Sequence, residues 1–222
     1  MKSLWRLFAL ATFAFAATSL SAESQSARTL PLSEIATPDA GELDEDDLTA
    51  GALLESGEIS AGQAPGNYSE AYVETFLNQF VGIWNGHYEI TTMRGQVLTH
   101  MDARSSYEWD LVGETRVLKN QSIYASGDII GYSSSLTYFY FGRLVTEVEQ
   151  DGVKRIFFGT VSKDGKSVSW NIANAVNTLS SSTRETFTQI NGQPCIRIEG
   201  FEAVRDAMAT ATIAMKGELT KE

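Results

Sequence analysis

From residue 68 onward, apolar and polar positions alternate in short runs rich in Val, Ile, Thr, Tyr, Phe and Trp. The runs are punctuated by Arg94-Gly95, Val112-Gly113, Ser126-Gly127-Asp128, Asp151-Gly152, Asp164-Gly165 and Asn191-Gly192, pairs that favour tight turns. This pattern predicts strands at about 83–92, 96–109, 115–125, 135–149 with a break at Gly142, 153–162, 166–173, 178–190, 194–202 and 208–219. One helical stripe precedes them: Tyr72, Phe76, Leu77 and Phe80 recur at i, i+4, i+5 and i+8. Ser69 is placed to cap a helix over 70–80, Glu70 suits its first turn, and Gly82 ends it. Nine or ten strands joined by short turns, with no helical stretch long enough for a crossover, imply an antiparallel sheet. A sheet of that length closes on itself to remove its edges. The expected fold class is all-β: an antiparallel up-and-down barrel of eight to ten strands with a short N-terminal helix, a sandwich being the alternative.

Strand parity assigns faces. Trp84, Gly86, Tyr88 and Ile90 share one face of the first strand, opposite Asn85, His87 and Glu89. In the second, Val97, Thr99, Met101, Ala103, Tyr107 and Trp109 oppose His100, Asp102, Arg104 and Glu108. With the apolar sets turned inward, both histidines fall outside. His100 and Asp102 form an i,i+2 acid/base pair, but a solvated exterior explains them as well and is preferred. The run Leu136–Phe141 has aromatics on both faces, which predicts a strand covered on its outside by the N-terminal helix.

The segments before residue 68 are of another kind. Lys2 and Arg6 precede an apolar run, Leu7–Ala17, and small residues up to Ala22. This is the pattern of a secretory signal peptide over 1–22, and the run is shorter than the ~20 residues a membrane span needs. Export to the periplasm or beyond is therefore expected, with no stable membrane insertion once the signal is removed. Residues 23–67 hold ten acids against Arg28 and no aromatic, so they lack the apolar material to offset their chain entropy. They are expected to form a disordered acidic tether, trimmed by limited proteolysis to a core of about 68–222. Leu43–Leu54 is an alternative short acidic helix for a partner, and Asp44–Asp47 lacks the Gly and terminal Glu of a calcium loop. The chain of 222 residues thus divides into 1–22, 23–67 and a barrel domain at 68–222.

Composition narrows the chemistry. A net charge of −11 argues against a nucleic-acid partner. One cysteine and two histidines leave no set for a thiolate or histidine metal centre, and no metal or cofactor is expected. Cys195, in Pro-Cys-Ile-Arg-Ile, reads as a buried thiol in a strand. Nucleophile-elbow, phosphate-loop and dinucleotide motifs are missing.

The stretch Phe76–Ile90 (FLNQFVGIWNGHYEI) resembles the opening of lipocalin-like proteins. In them a helix leads into a Gly-x-Trp turn whose Trp closes the barrel base, and Gly82 and Trp84 match that signature. Phe158–Trp170, Arg184–Phe187 and Ile196–Phe201 resemble bacterial lipocalin-like, calycin-type domains of unknown function. The resemblance spans most of 72–220 and implies a barrel with an arginine packed late in the chain over the Trp, for which Arg197 and Arg205 compete. Haem-binding barrels of that superfamily use a late histidine. This chain has none after His100, which counts against haem.

Two functional classes follow. The first is an exported barrel holding a small apolar or amphipathic ligand, with Tyr88, Met101, Tyr107, Trp109, Tyr138, Tyr140 and Trp170 as candidate lining residues. The same residues serve equally to fill a solid core, and that choice stays open here. The second is an enzyme using carboxylates and arginines embedded in the strands, such as Glu108, Arg143, Arg184 and Glu185. A scaffold whose acidic tether engages a partner is a third possibility. The hydroxyl-rich run Thr178–Thr188 either lines a polar part of the cavity or, as preferred, faces water at an edge.

Overall fold

The computed structural model describes residues 68–150, 152–173, 180–205 and 210–222; the side chains of 204, 205 and 210 also lie outside the description. The expected signal segment, the expected tether with its Leu43–Leu54 and Asp44–Asp47 stretches, and the starts of the strands expected at 178 and 208 fall outside the described residues.

Ser69 caps helix α1 (Glu70–Leu77), its hydroxyl accepting from the Tyr72 amide. The helix buries Phe76 and Leu77 of the predicted stripe together with Val73, and gives way to a turn over 78–80. Ten strands follow: β1 (Gly82–Thr92), β2 (Val97–Val112), β3 (Thr115–Ser126), β4 (Ile129–Tyr140), β5 (Arg143–Gln150), β6 (Val153–Val161), β7 (Ser167–Ile172), β8 (Ser181–Ile190), β9 (Gln193–Arg205) and β10 (Thr210–Lys221). Each pairs antiparallel with the next, and β10 pairs with β1, so the sheet is a closed barrel. The expected barrel is present and the sandwich is not.

Turn chemistry explains two of the hairpins. Asn191 and Gly192 both have positive φ, as the primed two-residue turn demands, and Phe141 and Gly142 do the same. The break expected at Gly142 therefore separates two strands, β4 and β5. The sequence reading started that region at 135, whereas β4 begins at Ile129. Gly131 and Ser133–Ser135 have weak strand propensity but face residues of β3 along a continuous ladder, and tertiary pairing overrides the local preference.

The inward face of the helix end is packed solid. Trp84 is 1% exposed and donates its indole N–H to the Phe80 carbonyl at 2.5 Å. Around it lie Phe76, Phe80, Leu144, Val161, Val168, Ile196 and Leu219 of one core cluster, with Phe187 edge-on to Phe80. Tyr68 and Tyr72 bond the carbonyls of Val161 and Ser162, and Gln79 bonds that of Gly165, so the helix segment is laced across the barrel end. The cation over the Trp84 ring among the described residues is Lys221, at 5.3 Å; the side chain of Arg205 lies outside the description. Arg197 points outward to Glu218, at 2.9 Å. Lys221 takes the place because β10 pairs directly with β1 and puts it opposite Trp84.

The helix does not cover the outside of the Leu136–Phe141 run. It seals the barrel end, while Tyr138 belongs to a second cluster with Val112, Val117, Val145 and Ile156 on the outer face. The β1/β2/β10/β9 exterior is instead a charged ladder. His87 lies opposite Asp102 and Glu218, and Glu89 lies opposite His100 and Lys216. Both histidines are exposed, as parity predicted; His100 meets Glu89 at 3.8 Å rather than Asp102. Among the described residues no helix is long and apolar enough to cross a membrane.

Candidate functional site

Above the packed end the barrel interior opens into a cavity of about 100 Å³. Its wall comes from the inward rows of eight strands, β1 to β8, and is of two kinds. On one side runs a belt of small polar side chains: Ser105 of β2, Asn120 and Ser122 of β3, Ser133, Ser135 and Thr137 of β4, and Thr146 of β5. On the other lie Phe157, Trp170, Thr183 and Glu185, with Tyr88, Tyr107 and Tyr124 at the junction.

The belt is internally bonded. Ser122 donates to Asn120 Oδ1 at 3.0 Å, and Asn120 Nδ2 donates to the Ser106 carbonyl at 3.1 Å. With the Ser122 proton so committed, the 2.8 Å contact to Ser105 has Ser105 as donor. Thr137 donates to Thr146 at 2.8 Å across the β4–β5 pair. These strands are hydroxyl-rich on the inward face because the belt satisfies itself across adjacent strands, which keeps polar wall atoms from being buried unpaired.

Glu185 is the only acid in the wall, and the wall contains no Lys, Arg or His among the described residues. Its Oε2 accepts the Trp170 indole N–H at 2.9 Å, its only hydrogen bond among the described residues. The side chain is part-buried, and the surface left to it lines the cavity. That burial pushes the carboxyl up to about 7, and the Trp170 bond opposes the shift. Burial likewise drives the Tyr88 and Tyr107 phenols well above their ordinary value and Tyr124 to about 12, with the nearby Glu185 charge adding to each. The Tyr107 and Thr183 hydroxyls make no hydrogen bond among the described residues. The lumen therefore offers a phenol donor, a threonine hydroxyl and a carboxylate oxygen with no protein partner, next to the flat faces of Trp170 and Phe157.

Two glycines make room for these rings. Gly159 lies opposite Trp170 in the β6–β7 ladder, and a Cβ there would strike the Trp170 ring and come within 2.9 Å of Leu144. Gly217 lies opposite Tyr88, whose ring would be 2.5 Å from an added Cβ.

Of the candidate lining residues, Tyr88, Tyr107 and Trp170 line the cavity. The other four do not. Met101 faces inward but is 1% exposed and packed in the main core. Trp109 lies at the helix end, donating to Asn78 Oδ1 at 2.7 Å under the Arg116 guanidinium. Tyr138 and Tyr140 are on the outer face; Tyr138 donates to the buried Glu147 at 2.5 Å, and Tyr140 packs edge-on against it. Starting β4 at Ile129 puts Thr137 inward, which turns its neighbours Leu136, Tyr138 and Tyr140 outward. Among the embedded charges, Glu108 is exposed, Arg143 stacks on Phe158 outside the lumen, and Arg184 is exposed and reaches Ser167; only Glu185 enters the cavity. The hydroxyl-rich run faces no edge. In a closed barrel β8 has a neighbour on both sides, and Thr183 and Glu185 face the lumen.

Sequence reasoning missed the serine belt and Tyr124. Ser105/Ser122 and Ser122/Ser133 are cross-strand neighbours, a pairing visible only once the register is known. Among the described residues no group of three His, Cys, Asp or Glu is placed to hold a metal ion. The fold and site define a class: a closed ten-stranded antiparallel barrel with a polar-and-aromatic internal cavity. No protein-family description matches the chain. No curated protein matches it either.

Proposed function

We propose that this chain is an exported, lipocalin-like barrel that holds one small amphipathic molecule in its lumen, non-covalently and without metal or haem. The supporting observation is the cavity itself: a space inside the barrel in which the Tyr107 hydroxyl and a Glu185 oxygen await partners while aromatic faces offer apolar contact. A solid core would have no reason to bury a carboxyl without a countercharge. The two-sided wall favours an amphipathic ligand over a purely apolar one, because an oil would leave those polar atoms unsatisfied. The export element rests on the Lys2/Arg6, Leu7–Ala17 and Ala22 pattern.

An environment-sensitive apolar dye should bind the full chain at one-to-one stoichiometry and be displaced by extracts of the native host. Ser135→Trp, which fills the lumen from the belt side, should weaken the dye at least tenfold while the folded far-UV signal persists. Dye binding seen only when the near-UV signal is lost would place the dye in a loosened core and overturn the reading. One observation supports a second reading: a carboxyl near 7 beside the Tyr107 phenol has the protonation balance of a general acid–base. That reading requires a molecule recovered from the lumen to come out chemically altered.

A further inference from the structure

We propose that the lumen selects protonated amines: Glu185 is the counter-ion for the cationic head of a small one-ring amphiphile whose apolar part lies between Trp170 and Phe157. This rests on the reading of the lumen as a binding site and names the chemistry that the site would choose.

The cavity wall holds one carboxyl and no basic side chain among the described residues. Cations on the inward rows stand elsewhere and are engaged. Lys221 lies over Trp84 at the packed end, and Arg155, on the row of Phe157, meets Glu202 at 3.7 Å toward the other end. On β8 itself, Arg184 is turned outward to Ser167. What faces Glu185 from the packed elements is neutral: the Trp170 indole of β7, and the phenols of Tyr88 of β1, Tyr107 of β2 and Tyr124 of β3, which burial holds protonated. An ionised carboxylate in such surroundings lacks a countercharge, and the molecule has two ways to supply one: a proton, or a cationic ligand. Burial, which raises the Glu185 carboxyl to about 7, favours the first.

A ligand ammonium replaces the proton with a fixed charge pair. The Glu185 oxygen not used by Trp170 accepts from the ammonium, and the surrounding Tyr and Trp rings favour a cation through their negative faces. An anionic ligand would set a second negative charge against Glu185 in a low-dielectric space and is rejected. A neutral alcohol of the same shape gains the aromatic contacts but not the charge pair. The cavity volume of about 100 Å³ limits the ligand to roughly one ring with a short head.

Benzylamine, benzyl alcohol and benzoate separate these terms, being close in size and differing in charge. Calorimetric titration of the full chain at pH 8, where Glu185 is ionised, should find benzylamine at least tenfold tighter than benzyl alcohol, and no binding of benzoate. Glu185→Gln keeps the shape and removes the charge. It should abolish the amine's advantage while leaving benzyl alcohol within about twofold of the parent. Lowering the pH to 5.5 should weaken benzylamine at least fivefold in the parent and leave benzyl alcohol unchanged. Equal binding of amine and alcohol, or an amine preference that survives Glu185→Gln, overturns the proposal while the lumen remains a binding site. If none of the three binds although the apolar dye does, the amine proposal falls alone. If the dye fails as well, both readings fall.

Discussion

Trp84 and Glu185 occupy the same barrel interior under opposite physics. Trp84 is fully enclosed, its one polar atom is satisfied by the Phe80 carbonyl, and Lys221 covers its face. Trp84→Ala should therefore cost about 3–5 kcal/mol in denaturant unfolding. His100→Gln and His87→Gln, on the exposed ladder, should each cost under ~0.5 kcal/mol in the same measurement. Glu185 behaves in reverse, because its folded-state carboxyl lies near 7 against an ordinary value of 4.5. Between those values the folded protein holds more protons than the unfolded chain, so this group's contribution is fully favourable below about 4.5 and is lost as pH rises through 7. Comparing Glu185→Gln with the parent in thermal melts isolates the effect. The variant should gain about 3 kcal/mol relative to the parent between pH 4.5 and pH 8, and a pH-independent difference would show that Glu185 is not buried.

At the scale of elements, pairing decides what each strand shows to the lumen. The β6–β7 ladder sets Gly159 against Trp170, and the vacancy at Gly159 lets the indole lie flat and reach Glu185. Gly159→Ala should destabilise the fold by about 1–3 kcal/mol, because neither Leu144 nor Trp170 can yield without disturbing packed neighbours. It should also shift the pH midpoint of indole fluorescence, since Trp170 is the residue bonded to the titrating carboxyl. Loss of stability with an unmoved midpoint would mean that the ring had not been displaced. The same logic shows why part of the site was illegible in sequence. Trp84, Tyr88 and Tyr107 were readable because β1 and β2 alternate cleanly. The run Leu136–Phe141 has aromatics at all four positions after Thr137, so alternation could not say which way it faces. The answer came from the serines upstream, which pair with the β3 row.

At the scale of the whole molecule, closure holds the arrangement. β10 is the last element and pairs with the first along nine residues, from Trp84↔Lys221 to Thr92↔Ile213. The terminal stretch carries Leu219 in the core, Lys221 over Trp84, and the Glu222 amide bonded to the Ile83 carbonyl. A chain ending at Gly217 should lose the cooperative thermal transition, because the seam opens and exposes two strand edges as well as the base of the core. Retention of a sharp transition near the parent's temperature would show that the barrel does not depend on its seam.

By itself the sequence determined the periods: a helical stripe ended by a glycine, ten runs of strand, and turns whose Asn-Gly and Gly positions accept positive φ. These are local properties, carried by side-chain branching and backbone freedom within a few residues, and they suffice for an all-β antiparallel barrel with its helix and Gly-x-Trp entry. Register and closure were decided only in three dimensions. They bring Ser105, Ser122 and Ser133 of three strands side by side, set Lys221 over the Trp84 ring, and send Tyr138 and Tyr140 outward. They also leave Glu185 in the cavity wall with no basic neighbour there. A carboxyl's environment depends on residues dozens to a hundred positions away, such as Tyr88 and Tyr107, and no local pattern encodes such contacts. For this reason the barrel was legible in the chain while the character of its lumen was not.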